Sequence, residues 1–437
     1  TPSPRLAADL APPSAAEAYD LWFQEIRVAE DEEWMRRARR KRWETDGRWQ
    51  VAEGGGCVGL TNIKNTCWMN SVVQSLSQLE PFTAFMLHLE ARDPALDILS
   101  PRRRHSPKNE VGTSFASRPS SSSLGEEQGS QIISQGLREL LAQLWQEEQK
   151  RKAVVPSRFH MCLTANASWE QKKAFRAQQD AQEFLLFMLN KLHEELDTSS
   201  IDLRLPARFG SKDGIAEKKD PVAGVDLKAP INGFFKGQLQ STIECSCCGH
   251  SSSTHEDFLH LSLPVVDNDE NACPMRPLGL DSVLSAELLS EERLEGSNRW
   301  HCSNCNDHVD AIRRTRVRVL PEIVILHLKR FAYSMTGKVR KVRTPIELAG
   351  DGAAGLDGLD LNRFAVHADG PALYDIASVV HHHGKDAVCG HYTAHCRHAV
   401  DGQWYSFNDD RVSPIHASEA WLPVESYILC LVRRKPE

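Results

Sequence analysis

Three stretches of this chain carry residues that could do covalent or metal chemistry. In NIKNTCWMNSVVQSL (62–76), Cys67 stands where an asparagine-rich loop gives way to an apolar helical pattern. A helix N-terminus offers unpaired N–H groups and the positive end of the dipole, and both favour a thiolate over a thiol. Thr66 or Asn65 is placed to cap, and Val72, Val73, Leu76 and Leu79 form a stripe to anchor the helix. Cys67 is therefore an inert core thiol or an activated nucleophile, and position alone leaves the two even. A nucleophile needs a base, and the base an orienting group. Both types occur in VVHHHGKDAVCGHYTAHCRHAVDGQWYSFNDDRV (379–412). His391 opens one strand of an expected hairpin, and Asn408, Asp409 and Asp410 end the other, so antiparallel pairing returns them toward each other. His381, His382, His383, His395 and His398 lie nearby, and chemistry alone does not choose among them.

CSCCG (245–249) and CSNC (302–305) make the third stretch. Cys245 with Cys248, and Cys302 with Cys305, are CxxC pairs able to place four thiolates tetrahedrally around zinc. The gap between the pairs exceeds the about 15–20 residues usual in a compact zinc module. The competing reading, a redox-active CxxC, lacks a thioredoxin-like βαβ pattern around either pair. Four protein ligands leave such a metal no open position for catalysis, so its role is structural. Cys247 is extra, free to replace a neighbour or to stay unbound.

These centres must be positioned by a chain of 437 residues, 41% of them hydrophobic, enough for a large core and two or three domains. A net charge of −7 provides no global basic field toward nucleic acid or an anionic membrane. A zinc-ribbon nucleic-acid binder is disfavoured on that ground. No apolar run approaches the roughly 18 residues of a membrane span. The first residues lack a long apolar segment, so no signal peptide is expected, and a start on Thr1 fits a trimmed polypeptide. Twelve cysteines without a secretory signal suit thiols and metal in a reducing compartment, the cytosol or nucleus.

Residues 1–56 read as an N-terminal extension: Pro/Ala-rich and disordered over 1–16, a charged helix over 17–50, then a glycine hinge at 54–56. RRARRKR (36–42) fits a nuclear localisation signal or a solvated basic helix face. Helical patterns follow at 67–80, 131–150 and 178–197. The last carries Ala181, Phe184, Leu185, Met188, Leu189 and Leu192 on one face, with Asp180 and Glu183 as a capping-box-like start. Residues 100–130 form a Ser/Pro-rich insertion expected to stay disordered. Beyond about residue 230 the period becomes two, as in RRTRVRVLPEIVILHLKRF, and Asp401-Gly402 marks a hairpin turn. Helices first and antiparallel strands later make an α+β fold.

Cys, then His, then Asn/Asp is a chain order that papain-like cysteine proteases also use. GLTNIKNTCWMNSVVQSL resembles the cysteine box of the ubiquitin-specific proteases, and GHYTAHCRHAVDGQWYSFNDDRV resembles their histidine box. AQQDAQEFLLFML (177–189) and LPEIVILHLKRFAY (320–333) are similar to further segments, and the four run in family order from Gly59 to about Arg433. The resemblance implies a papain-like catalytic domain over 57–435 with a helical thumb, a β palm and zinc-bearing β fingers at about 231–320. It implies Cys67 as nucleophile, His391 as general base and acid, and Asn408 as the orienting group, with Asp409 a second candidate for that role. It further implies Asn62 as an oxyanion donor, Asp180 as a contact for the substrate's tail, and Cys245, Cys248, Cys302 and Cys305 as zinc ligands. The implied activity is hydrolysis at the C-terminal glycine of ubiquitin, with ubiquitin and ubiquitinated proteins as partners. A silent ubiquitin-binding scaffold and a protease for a ubiquitin-like modifier are the rivals. The chain departs from the family pattern at Lys64, usually glycine, and at Trp68, usually tyrosine. A loop that needs positive φ at 64 would strain a lysine.

Overall fold

The computed structural model describes residues 55–88, 132–145, 152–168, 177–197, 229–266, 276–333, 339–348, 354–367, 372–384 and 389–434. The N-terminal extension up to residue 54, with its basic run, and the insertion at 100–130 lie outside the described residues. The helices are α1 (Cys67–Ser77), α2 (Glu80–His88), α3 (Ile133–Trp145), α4 (Ser157–Asn166), α5 (Ala181–Leu196), α6 (Pro230–Phe235) and α7 (Leu280–Leu288). The helical pattern at 67–80 is split, because α1 stops at Ser77 and α2 starts at Glu80.

Every residue of α1 is buried, including Asn70, Gln74 and the serines. The buried amides are used in order. Gln78 Nε2 donates to Gly56 O at 2.7 Å, Gln74 Nε2 to Val58 O at 2.7 Å, and Asn70 Nδ2 to Leu60 O at 3.2 Å. Four helical residues rise about 6 Å and two extended residues about 6.6 Å, so i, i+4, i+8 side chains can match alternate carbonyls of the segment that leads into the short strand Gly59–Leu60. The segment entering the domain is thereby fastened along the nucleophile helix. The expected hinge at 54–56 is overturned for its described part. Gly55 and Gly56 are buried, Gly56 N donates to Leu144 O at 2.8 Å, and a Cβ on Gly56 would meet Trp145 at 2.5 Å.

The longer strands are β1 (Gly237–Cys245), β2 (Ser251–Phe258), β3 (Leu261–Pro264), β4 (Glu291–Leu294), β5 (Ala311–Val319), β6 (Ile323–Lys329), β7 (Leu373–Gly384), β8 (Gly390–Arg397), β9 (Trp404–Asn408), β10 (Arg411–Ile415) and β11 (Ser426–Arg433). An eight-stranded sheet runs β10-β9-β8-β7-β11-β6-β3, with a short strand at Leu359–Asp360 beside β7. It is antiparallel except for β6 against β3. One face packs on the helices through Ile323, Ile325, Val380, Ile428 and Cys430. Val324, Leu326, Leu328, Leu429 and Leu431 pack with α7 on the other. Covering both faces explains why IVIL in β6 is a continuous apolar run.

A second sheet, β2-β1-β5-β4, projects as a ribbon. Its strands are largely exposed or half-buried, and cross-strand pairs such as Arg314 with Glu244 and Glu291 line its surface. Such exposed pairs contribute only about 0–1 kcal/mol each. The helix α6 before the ribbon belongs with the other helices, Phe235 lying 5.4 Å from Phe82 edge-to-face. The helical thumb, β palm and β fingers expected from the sequence are thus present.

Candidate active site and cysteine cluster

Cys67 is the first residue of α1 and is 4% exposed. The preceding loop is tied by its own side chains. Thr66 N donates to Asn62 Oδ1 at 2.9 Å, and Ile63 N donates to Thr66 Oγ1 at 2.9 Å. The expectation that Thr66 or Asn65 caps the helix fails: Thr66 holds the N-cap position, but its hydroxyl turns back into the loop. Lys64 and Asn65 take φ of 57° and 62°, so the positive φ that would strain a lysine is realised.

His391 lies on β8 opposite His383 of β7. The β9–β10 hairpin presents Asn408 and Asp409 at its tip, with Asn408 paired to Arg411 and Asp409 at φ 51°. His391 Nε2 meets Asn408 Oδ1 at 2.7 Å. An amide oxygen only accepts, so Nε2 carries the proton and Nδ1 is left open on the other side of the ring. Cys67 is the largest influence on the imidazole's pKa. Against partial burial, and with help from Asn408 and the Cys67 and Asp409 charges, it pushes the pKa up to about 9. Of the six candidate histidines, the other five are engaged elsewhere. His381 bonds Ala420 O and His395 bonds Glu419 O, His383 bonds Thr393 Oγ1, His398 bonds Gly55 O, and His382 lies buried beneath Gly390.

Asp409 does not orient the ring directly, since its Oδ2 lies 3.9 Å from His391 Nε2. Its carboxylate instead bridges two asparagines: Asn62 Nδ2 donates to Oδ2 at 2.9 Å and Asn70 Nδ2 to Oδ1 at 2.8 Å. Leu60 N also donates to Asp409 O at 2.8 Å. The hairpin is therefore clamped to the nucleophile loop, and one Asn62 amide hydrogen is fixed while the second stays available. Asp180 stands apart from the Cys67–His391 pair. It caps α5, accepting from Gln182 N at 2.7 Å, and its other oxygen accepts from Tyr427 OH at 2.6 Å. Burial raises its pKa against those bonds. Gln178 of the same stretch accepts from Gly390 N at 3.3 Å, which places this segment beside the start of the histidine strand.

At the far end of the ribbon the sulfurs of Cys245, Cys248, Cys302 and Cys305 lie within 4.8 Å of one another. These four cysteines could hold a metal ion. Sγ separations are 3.8 Å for Cys245–Cys305 and 3.6 Å for Cys248–Cys302. A tetrahedron with metal–sulfur bonds of about 2.3 Å has edges of about 3.8 Å, so the spacing fits. N–H groups of Cys247 and Cys248 point at Cys245 Sγ and that of Cys305 at Cys302 Sγ, each at 3.4 Å, which suits thiolates. Cys247 is exposed and outside the cluster.

A sequence model of the family described as "Ubiquitin carboxyl-terminal hydrolase" matches residues 58–430. The chain belongs to that family. Human ubiquitin carboxyl-terminal hydrolase 3 is 30% identical over 402 residues, which cover 86% of this chain and 68% of that protein. Rat ubiquitin carboxyl-terminal hydrolase 2 is 29% identical over 377 residues, covering 83% of this chain and 52% of its own length. The chain thus spans between about half and two thirds of these relatives. Among solved structures, the SAGA Ubp8/Sgf11/Sus1/Sgf73 DUB module bound to ubiquitin aldehyde superposes with a TM-score of 0.61 at 23% identity, covering 89% of this chain and 72% of that one. The same module bound to monoubiquitin gives 0.60 at 25% identity.

Within this ubiquitin carboxyl-terminal hydrolase domain, several residues of the site escaped sequence reasoning. Asn70 reads as an interruption of the apolar stripe, and its burial is the signal that marks it. Gly59 packs against the hairpin so closely that a Cβ would lie 2.6 Å from the Asp410 carbonyl. A Cβ on Gly390 would lie 2.2 Å from His382 Nε2, so glycine before His391 is a packing requirement. Trp68, the second departure from the family pattern, is fully buried and meets Phe184 edge-to-face at 4.9 Å, docking α1 on α5.

Proposed function

We propose that this chain is a cysteine deubiquitinase that hydrolyses the isopeptide or peptide bond at the C-terminal glycine of ubiquitin. The observation that carries this reading is the Cys67–His391–Asn408 arrangement, an imidazole turned by the Asn408 amide oxygen whose charged form Cys67, at the head of α1, favours. The Cys67 thiolate attacks the glycine carbonyl carbon and drives the electron pair onto oxygen. The free Asn62 amide hydrogen and the N–H groups at the start of α1 stabilise that charge. His391 gives its Nδ1 proton to the departing amine as the thioester forms. It then takes a proton from water, which hydrolyses the thioester and frees the sulfur. Asn408 keeps the ring turned and its tautomer fixed without supplying a full negative charge. Asp409 acts through Asn62 and Asn70 rather than through the imidazole. Asp180, whose segment meets the histidine strand through Gln178, is the residue we read as a contact for the substrate's tail.

The cysteine cluster would hold zinc, with Cys245, Cys248, Cys302 and Cys305 as ligands, and the metal would supply cross-linking of the fingertip rather than chemistry. Both centres need reduced thiols, which suits the cytosol or nucleus. The test is reaction with ubiquitin carrying a C-terminal electrophile. A covalent adduct is expected with the parent chain and none with Cys67→Ala. Binding without adduct in the parent would leave a ubiquitin-binding scaffold. Adduct formation only with a ubiquitin-like modifier would reassign the substrate.

A further inference from the structure

The strand that pairs with His391 outruns its other neighbour. β7 continues to Gly384, whereas β11 begins at Ser426, which pairs with His381. In an antiparallel sheet the N–H and C=O of one residue point to the same edge, and successive residues alternate. His382 N donates to Glu425 O at 2.8 Å, so His382 and, two residues on, Gly384 face the β11 side. His383 between them faces the other side and pairs with His391. Glu425 does not return the bond to the His382 carbonyl, because its N–H turns back to Leu422 O at 3.2 Å.

Two cations take over along this edge. Lys341 Nζ donates to His382 O, and Arg343 Nη2 donates to Gly384 O at 3.3 Å. The donors are two residues apart, and so are the acceptors. The segment that bears them is itself held by Arg330, which is fully buried. Val342 N donates to Arg330 O at 2.6 Å, and the guanidinium donates to Val342 O at 3.2 Å and Thr344 O at 2.9 Å. The same guanidinium donates to Ser426 O and Pro423 O, each at 2.6 Å, which ties the segment to the start of β11. Lys341 is 6% exposed, and burial pulls its pKa down to about 8, with Glu425 opposing and Arg330 and Arg343 assisting. It stays charged at neutral pH where its surroundings disfavour charge, and a charged donor makes the stronger bond to a carbonyl. Arg343 is exposed, so water competes for its bond.

We infer that Lys341, with Arg343 beside it, is a positioning residue for His391: the two side chains take the place of a strand along the free edge of β7 and hold the end of the β7–β8 hairpin so that the imidazole stays against Asn408. Neither touches the reacting atoms. Without Lys341 the hairpin end loses its grip on this edge and splays from the sheet, carrying His391 with it. The catalytic consequence rests on the deubiquitinase reading, but the placement of the ring is measurable without ubiquitin.

The test is an NMR titration of His391 in the full chain, labelled at histidine, with the signal assigned by its loss in His391→Gln. The groups that bear on His391 are Cys67 on α1, Asn408 and Asp409 at the β9–β10 tip, and His383 across on β7. Cys67 and Asn408 raise its pKa to about 9 in the parent. Lys341→Met is expected to lower this value by about one pH unit or more, because a displaced ring loses those partners. Loss of a nearby positive charge alone would raise it, so the two effects have opposite signs. Lys341→Arg is expected to restore the parent value, and Arg343→Met to lower it by less. With ubiquitin carrying a C-terminal fluorogenic amide, Lys341→Met is expected to lower kcat about tenfold and to leave KM within about twofold of the parent. A parent that turns over no such substrate would sink the deubiquitinase reading alone, and the titration would still decide the placement of the ring. A His391 pKa unchanged or raised in folded Lys341→Met would overturn the inference. If that variant does not fold, Arg343→Met decides it by the same titration.

Discussion

At the cleft one sulfur, Cys67, faces an imidazole; at the fingertip four sulfurs face one another. The cleft thiol begins a fully buried helix that is packed into the main core, and its partners arrive from strands more than three hundred residues away. The fingertip thiols sit on a ribbon whose local core is little more than Cys245, Cys302 and Val309, with Trp300 and Cys305 against them. A nucleophile must be fixed by its surroundings and left with an open side, whereas metal ligands can supply the fixing themselves. The four non-glycine residues with positive φ among the described residues divide between these places. Lys64, Asn65 and Asp409 lie at the cleft, and Asn306 follows Cys305 at the fingertip. Backbone strain collects where the chain is bent to aim chemistry.

The contrast is sharpest under substitution. Cys67→Ala is expected to abolish turnover, by roughly 10⁴-fold or more, with melting temperature and metal content unchanged. Cys302→Ala is expected to do the reverse, releasing about one zinc per chain and disordering the ribbon while Cys67 still alkylates with iodoacetamide. Zinc analysis and alkylation on both variants check this, and equal metal in the two would remove the cluster assignment. Asn62→Ala should cost about 10²–10³ in kcat, as loss of one oxyanion donor does, with little change in KM.

Smaller effects separate Asn408 from Asp409. The His391 pKa is raised above its ordinary 6.5 to about 9, so the imidazolium charge is complete below about 6.5 and is lost as pH rises through about 9. Asn408→Ala removes one of the contacts that raise it, so the alkaline fall in kcat/KM should move to lower pH. Asn408→Asp adds a charge and should move it higher. Matching profiles for the two would detach Asn408 from the ring. Smallest of all, Lys64→Gly should relieve left-handed strain and raise stability by about 1 kcal/mol, read as a shift in urea midpoint.

Much of this was legible beforehand, for reasons visible in particular residues. The stripe Ala181 to Leu192 became the buried face of α5, Asp180 its cap, and Asp401-Gly402 the turn between β8 and β9, with Gly402 at φ 74°. Short-range periodicity and turn chemistry record such features directly. The choice of His391 among six histidines was not legible from spacing, because it depends on which ring a sheet register turns toward α1. The role of Asp409 was invisible for the same reason: its partners, Asn62 and Asn70, are neighbours only after folding. The glycines at 55 and 56 misled because a hinge and a tight packing contact use the same residue. The helices α2, α4, α6 and α7 are short and lack a long apolar repeat, so tertiary packing decides them.

The amide ladder from α1 to the entering strand has a mechanical consequence. Gln78, Gln74 and Asn70 grip the carbonyls of Gly56, Val58 and Leu60 along a segment that follows the helix, so tension on the leading end loads all three bonds rather than one. Whatever pulls on that end must break the set together before it can shift the register of Leu60 against the turn at 409.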